Sequence, residues 1–92
     1  MCTSQTEIVS VDAHGRGRDE WTRLSSAVVY YDHPVRAASD HAVVVDLRDD
    51  GGEPSFRVVL EMSAASASEL ARAIDRVLET ELARSELAQS MR

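Results

Sequence analysis

The sequence predicts an α+β domain: a four-stranded antiparallel sheet in meander order, with one C-terminal amphipathic helix packed on one face. Three observations predict it. Four stretches alternate apolar and polar residues or concentrate β-branched and aromatic ones. Short segments rich in Gly, Pro and Asp separate them. From Ser63 onward, apolar residues recur at three- and four-residue intervals instead. Sequential strands joined by short turns pair with their neighbours, and the helix then covers the apolar face.

The first strand is expected over Glu7–Ala13, where Val9, Val11 and Ala13 share one face and Ser10 and Asp12 the other. A polar, glycine-bearing loop, His14 to Glu20, should follow. Trp21 to Asp32 is the second strand, strongest at Ala27–Tyr31, with Ser25 and Ser26 as the place for a bulge. Pro34 ends it, because proline has no N–H to give a ladder. The third strand runs from His41 to about Arg48, and Asp49–Pro54 makes the hairpin turn. The fourth is Phe56 to Met62. Phe56, Val58, Leu60 and Met62 should lie across from Val43, Val45 and Leu47. The other hairpin face mixes Val44 and Val59 with Asp46, Arg48, Arg57 and Glu61, which suits cross-strand Arg–carboxylate pairs or cover by a second subunit.

Ser63 or Ser66 can cap the helix, the latter with Glu69 in a capping box. Ala67, Leu70, Ala71, Ile74, Val77, Leu78 and Leu82 form its apolar stripe. Glu69–Arg72, Arg76–Glu79 and Glu81–Arg84 are opposite charges on its flanks. The stripe fails at Ser85 and Glu86, so residues 85–92, like residues 1–5, are expected to be flexible or in intermolecular contacts. The expected core comprises Val9, Val11, Val43, Val45, Leu47, Phe56, Val58, Leu60, Leu70, Ile74, Val77 and Leu78.

Ninety-two residues make a single domain with a thin core, here almost wholly aliphatic because only four residues are aromatic. With no disulfide to help, a homodimer is the expected assembly. The net charge of −6 sits mainly on residues 1–62, so nucleic acid and membrane surfaces are unfavourable partners. All ten basic residues are Arg. Without Lys, the chain supplies no Schiff-base or pyridoxal-phosphate lysine and no phosphate-loop lysine of its own. The Ala-, Arg- and Val-rich composition suggests a GC-rich bacterial gene. One cysteine, no signal-peptide pattern and no apolar run near the roughly 20 residues that span a bilayer indicate a cytoplasmic protein.

Met1-Cys2-Thr3, Thr6-Glu7, Trp21, Tyr31-Asp32-His33-Pro34 and His41 together resemble a family of small bacterial domains of unknown function. The likeness covers residues 1 to about 80. Family members often carry a Lys in the Gly-rich stretch where this chain has Gly15-Arg16-Gly17. The resemblance implies a self-contained domain and no activity.

Meander order makes the one functional suggestion. It brings Cys2, Asp32, His33, Asp40, His41 and Glu61 to one end of the sheet, beside the start of the helix. Neighbouring strands are about 4.8 Å apart. Cys2, His33, His41 and Glu61 are therefore candidate ligands for a divalent transition metal such as zinc, and Tyr31, Asp32 and Asp40 candidate contacts for a small-molecule ligand. Alternatively, Cys2 is a nucleophile with a histidine as its base, in a small enzyme. In the plainest reading, Asp32-His33-Pro34 is a turn that ends one strand, Asp40-His41 opens the next, and the domain is a structural protein-interaction module. The leading expectation is a homodimeric binding or accessory domain with a metal or small-ligand site at that end.

Overall fold

The computed structural model describes residues 5–51 and 57–91. Its elements are β1 (Thr6–Arg16), β2 (Trp21–Asp32), β3 (Ala42–Arg48), β4 (Arg57–Met62), α1 (Ala64–Leu78) and α2 (Glu81–Ser90). The sheet has the order β1-β2-β3-β4 with every pair antiparallel, the predicted meander. No helix among the described residues is long and apolar enough to cross a membrane.

Two local expectations need correction. His14, Gly15 and Arg16 belong to β1 rather than to a loop, and only Gly17–Glu20 turns the chain. Gly15 sits in the strand because β2 comes close. A Cβ there would lie 2.7 Å from Cδ1 of Leu24, and Leu24 is buried. The glycine marks a close approach, which in sequence looks the same as a turn. The bulge falls between Ser10 and Ala13 of β1, opposite Ser26 and Leu24, so it lies at the expected level of the sheet but on the partner strand. The extra residue lengthens and bends β1 there.

Beyond the bulge the register is regular. Val43 faces Met62, Val45 faces Leu60 and Leu47 faces Val58, as their alternation predicts. Those residues, with Val9, Ala27, Val29 and Tyr31, form the face toward the helices. Val28, Tyr30, Ala42, Val44, Asp46, Arg48, Arg57, Val59 and Glu61 form the opposite face.

α1 starts at Ser63, whose hydroxyl accepts the Ser66 N–H at 3.1 Å, so the cap is Ser63 and not the Ser66 box. Glu69–Arg72 closes at 3.6 Å; the two other expected flank pairs do not close to an ion pair. The expected single helix is two, because Thr80 adopts an extended conformation (φ −63°, ψ 151°) and restarts the chain as α2. Residues 85–90 are helical.

Burial reverses the expected core. In this single chain Leu24, Ala27, Ala42 and Val44 are the buried apolar side chains among the described residues. Val9, Leu60, Leu70, Ile74, Val77 and Leu78 are exposed, Ile74 by 54% and Val77 by 65%. Val11, Val43, Val45, Leu47 and Val58 are half-buried, and Phe56 lies outside the described residues. Trp21, which opens β2, is 64% exposed with the Arg16 guanidinium 5.9 Å from its ring. The cause lies in how each face is covered. α1 approaches the sheet chiefly along β3, leaving a cleft of about 310 Å³ between Val29, Val43, Val45 and Met62 on one side and Ala67, Leu70, Ala71 and Ile74 on the other. Residues 35–37 of the β2–β3 connection lie against the opposite face instead, beside Val59 and Glu61.

Candidate functional site

The candidate residues gather where β2 ends, β3 begins and β4 ends, and register explains why. Tyr31 pairs with Val43 and Asp32 with Ala42, so the chain leaves β2 and enters β3 side by side, with His33 and His41 just outside the ladder. Their rings stack at 4.7 Å between centroids with planes 28° apart. Tyr31 also stacks with His41, at 5.6 Å and 18°. The three rings cluster at the sheet end, partly open to solvent.

Asp32 bonds the backbone of the turn through its carboxylate, whereas Asp40 takes part through its backbone carbonyl. Asp32 Oδ1 accepts the His33 N–H at 2.7 Å, and the Asp40 carbonyl lies 3.1 Å from His33 Nδ1. The Ser39 hydroxyl donates to the His41 carbonyl at 2.7 Å. Asp32 thus bonds the backbone where the strand ends, as the Asp-His-Pro segment suggests.

Glu61 has a role that spacing alone does not reveal. Its carboxylate accepts the backbone N–H groups of Val35, Arg36 and Ala37 at 2.7, 2.7 and 3.1 Å. Three successive amides converge on one carboxylate from β4 and latch the loop across the sheet. Together with Val59 they enclose a cleft of about 520 Å³. The Val35 and Arg36 amides hold the Glu61 carboxyl below its ordinary value of 4.5, assisted by Ala37 and the Arg36 charge and opposed by partial burial. A depressed carboxyl stabilises the fold above its unfolded value, and that contribution disappears as pH falls through the folded value. The latch is therefore fully engaged above about pH 4.5 and opens below it. Glu61→Gln removes the charge and one acceptor oxygen. Amide exchange at Val35–Ala37 should then rise at neutral pH to the level the parent reaches only in acid, while β2–β3 protection stays.

Among the described residues, no group of three or more His, Cys, Asp or Glu side chains is placed to hold a metal ion. The structure brings His33 and His41 together, with Tyr31 beside them and Asp32 and Asp40 at the backbone. It engages Glu61 with the loop, and Cys2 lies outside the described residues. Lone pairs on imidazole nitrogens lie in the ring plane. Near-parallel rings do not aim two of them at one point, and a shared ion would require one ring to turn.

The opposite face carries a charged cluster whose cross-strand pairing the alternation does anticipate. Asp46, 3% exposed, accepts Arg57 Nε at 3.2 Å and Arg57 Nη2 at 2.6 Å, and also accepts Nη2 of Arg48.

A model of the family of unknown function DUF6295 matches residues 1–89. The chain belongs to that family. No curated protein and no solved structure matches it.

Proposed function

We propose that this member of the family is a homodimeric accessory domain, two copies packing through the helix-covered face of the sheet and the apolar stripe of α1. One observation carries the reading: the single chain leaves too much surface open. It exposes 7300 Å², whereas a folded monomer of its mass exposes about 5,300 Å². Its radius of gyration is 15.0 Å, against about 12 Å for a compact chain of this length. The difference in area, about 2,000 Å², exceeds the roughly 800 Å² that each partner buries in an ordinary stable interface. Part of it is apolar: Leu70 and Ile74 are exposed along the cleft between α1 and the sheet, and Val77 and Leu78 extend the open stripe of α1. A second copy is the occupant that fits, because one chain brings both an open sheet face and an open helix stripe, so the interface can repeat itself about a two-fold axis. The molar mass in solution tests this reading.

The cluster of His33, His41 and Tyr31 supports a second element, a metal or small-ligand site at the sheet end. In this reading His33 and His41 supply imidazole nitrogens to a divalent transition metal such as zinc, with Cys2 as a further ligand, and Tyr31, Asp32 and Asp40 border the site. Glu61 would join only by releasing the loop. The observation behind it is the 4.7 Å approach of the two imidazoles, one of which must turn out of the stack to bring both nitrogens to one ion. Bound metal needs neutral imidazoles, so affinity should fall as pH drops below about 6. Zinc titration should give one equivalent bound per chain, lost on replacing both histidines by Ala while the far-ultraviolet spectrum stays the same. Equal zinc uptake by the double variant would show that the histidines are not ligands.

A further inference from the structure

We propose that the sheet face opposite the helices carries a binding site for a small oxyanion, a carboxylate or a phosphate ester, built on Arg48 and Arg57. Register places Ser10, Ser26, Arg48 and Arg57 in one row across all four strands. Asp46, the neighbouring residue of the same face on β3, fixes both guanidiniums from beneath. Its carboxylate is hidden, whereas the arginine side chains are 42% and 50% exposed. An approaching ligand therefore meets the cations and not the acid.

The charge and hydrogen bonding of the cluster are incomplete. Two guanidiniums against one carboxylate leave a net positive charge, on a chain whose formal charge is −6. Of the ten N–H bonds that two arginines offer, three go to Asp46. Among the described residues, Arg48 Nε is buried and has no hydrogen-bond partner. Such a donor normally finds an acceptor, because leaving it unmade costs about 1–3 kcal/mol. Among the described residues, the acid next to Arg48 in sequence is turned away: Asp49 takes the Ser25 hydroxyl at 3.1 Å, and Ser25 lies on the helix side of β2. Arginine forks match the two oxygens of a carboxylate or phosphate, and the Ser10 and Ser26 hydroxyls stand in the same row. The site lies on the other side of the sheet from the proposed dimer contact and does not depend on it.

The test is a ¹H–¹⁵N NMR titration of the full chain with inorganic phosphate and, separately, with malonate, at constant ionic strength set by sodium chloride. Saturable shifts are expected at Ser10, Ser26, Arg48 and Arg57 with at least one probe. Tighter binding of phosphate points to a phosphate ester as the natural ligand, and tighter binding of malonate to a carboxylate. Arg57→Gln should weaken the better probe by about tenfold or more, since a bidentate charged contact is lost. Arg57→Lys keeps the charge without the fork and should also weaken it, which covers the case in which Arg57→Gln does not fold. The proposal is overturned if neither probe saturates, if chloride alone produces the same shifts, or if Arg57→Lys binds as tightly as the parent chain.

Discussion

Leu24→Ala is expected to destabilise the domain by about 2–5 kcal/mol, read as a lower midpoint in urea with an unchanged slope. Leu24 is 3% exposed and is the largest buried apolar residue among those described. It packs where Gly15 gives way to it, so truncation leaves a cavity that the rigid β1–β2 ladder is poorly able to close. A small domain is stable by only about 5–15 kcal/mol in all, so the loss is a large share of the total. The loss should be the same at every protein concentration, because Leu24 belongs to the core of each chain. A midpoint within error of the parent would mean that the β1–β2 end contributes nothing to the core.

Ile74→Glu should behave differently, separating the pair while leaving the chain folded. Ile74 is 54% exposed in the single chain, so a carboxylate there meets water in the monomer at little cost. In the dimer the same carboxylate would be enclosed between apolar surfaces without a partner, which costs several kcal/mol. The dissociation constant should rise by about a hundredfold or more, equivalent to about 2.7 kcal/mol. Val35→Glu is the matched control, because Val35 is 86% exposed on the latched loop of the opposite face. It should leave the assembly intact. Equal dissociation by both variants would point to a general charge effect and not to the helix stripe.

These two variants divide the apolar residues in a way the sequence alone does not. Alternation in β2, β3 and β4 fixes which residues share a face, and the observed register follows it: Val45 opposite Leu60, Leu47 opposite Val58. The spacing of Leu70, Ile74, Val77 and Leu78 likewise defines the stripe of α1. Periodicity says which residues seek cover, however, and not whether the same chain supplies it. Here the helix stripe remains open in the single chain, while Ala42 and Val44, on the face expected to be mixed, are the ones shielded. On that face Glu61, the cross-strand partner of Val44, holds the Val35–Ala37 loop through bonds that span 24 to 26 residues. A contact so distant in sequence leaves no local pattern. Glu61 reads in sequence as an ordinary carboxylate on a strand.

The candidate site was legible in part, for a similar reason. His33 and His41 are brought together by the pairing of Asp32 with Ala42, which meander order implies. The orientation of the rings is set instead by the stack with Tyr31 and by the Asp40 carbonyl, which side-chain spacing does not encode. Likewise, alternation on the hairpin indicates that Asp46, Arg48 and Arg57 can pair. Only the three-dimensional arrangement shows the carboxylate buried beneath both guanidiniums.

Multi-angle light scattering on the unmodified chain at micromolar concentration tests the central claim most directly. Self-association through the open cleft predicts a molar mass of twice the 10.1 kDa of one chain, with Ile74→Glu returning to the single-chain value. A mass of 10.1 kDa for the unmodified chain, accompanied by cooperative unfolding at a midpoint independent of concentration, would contradict it.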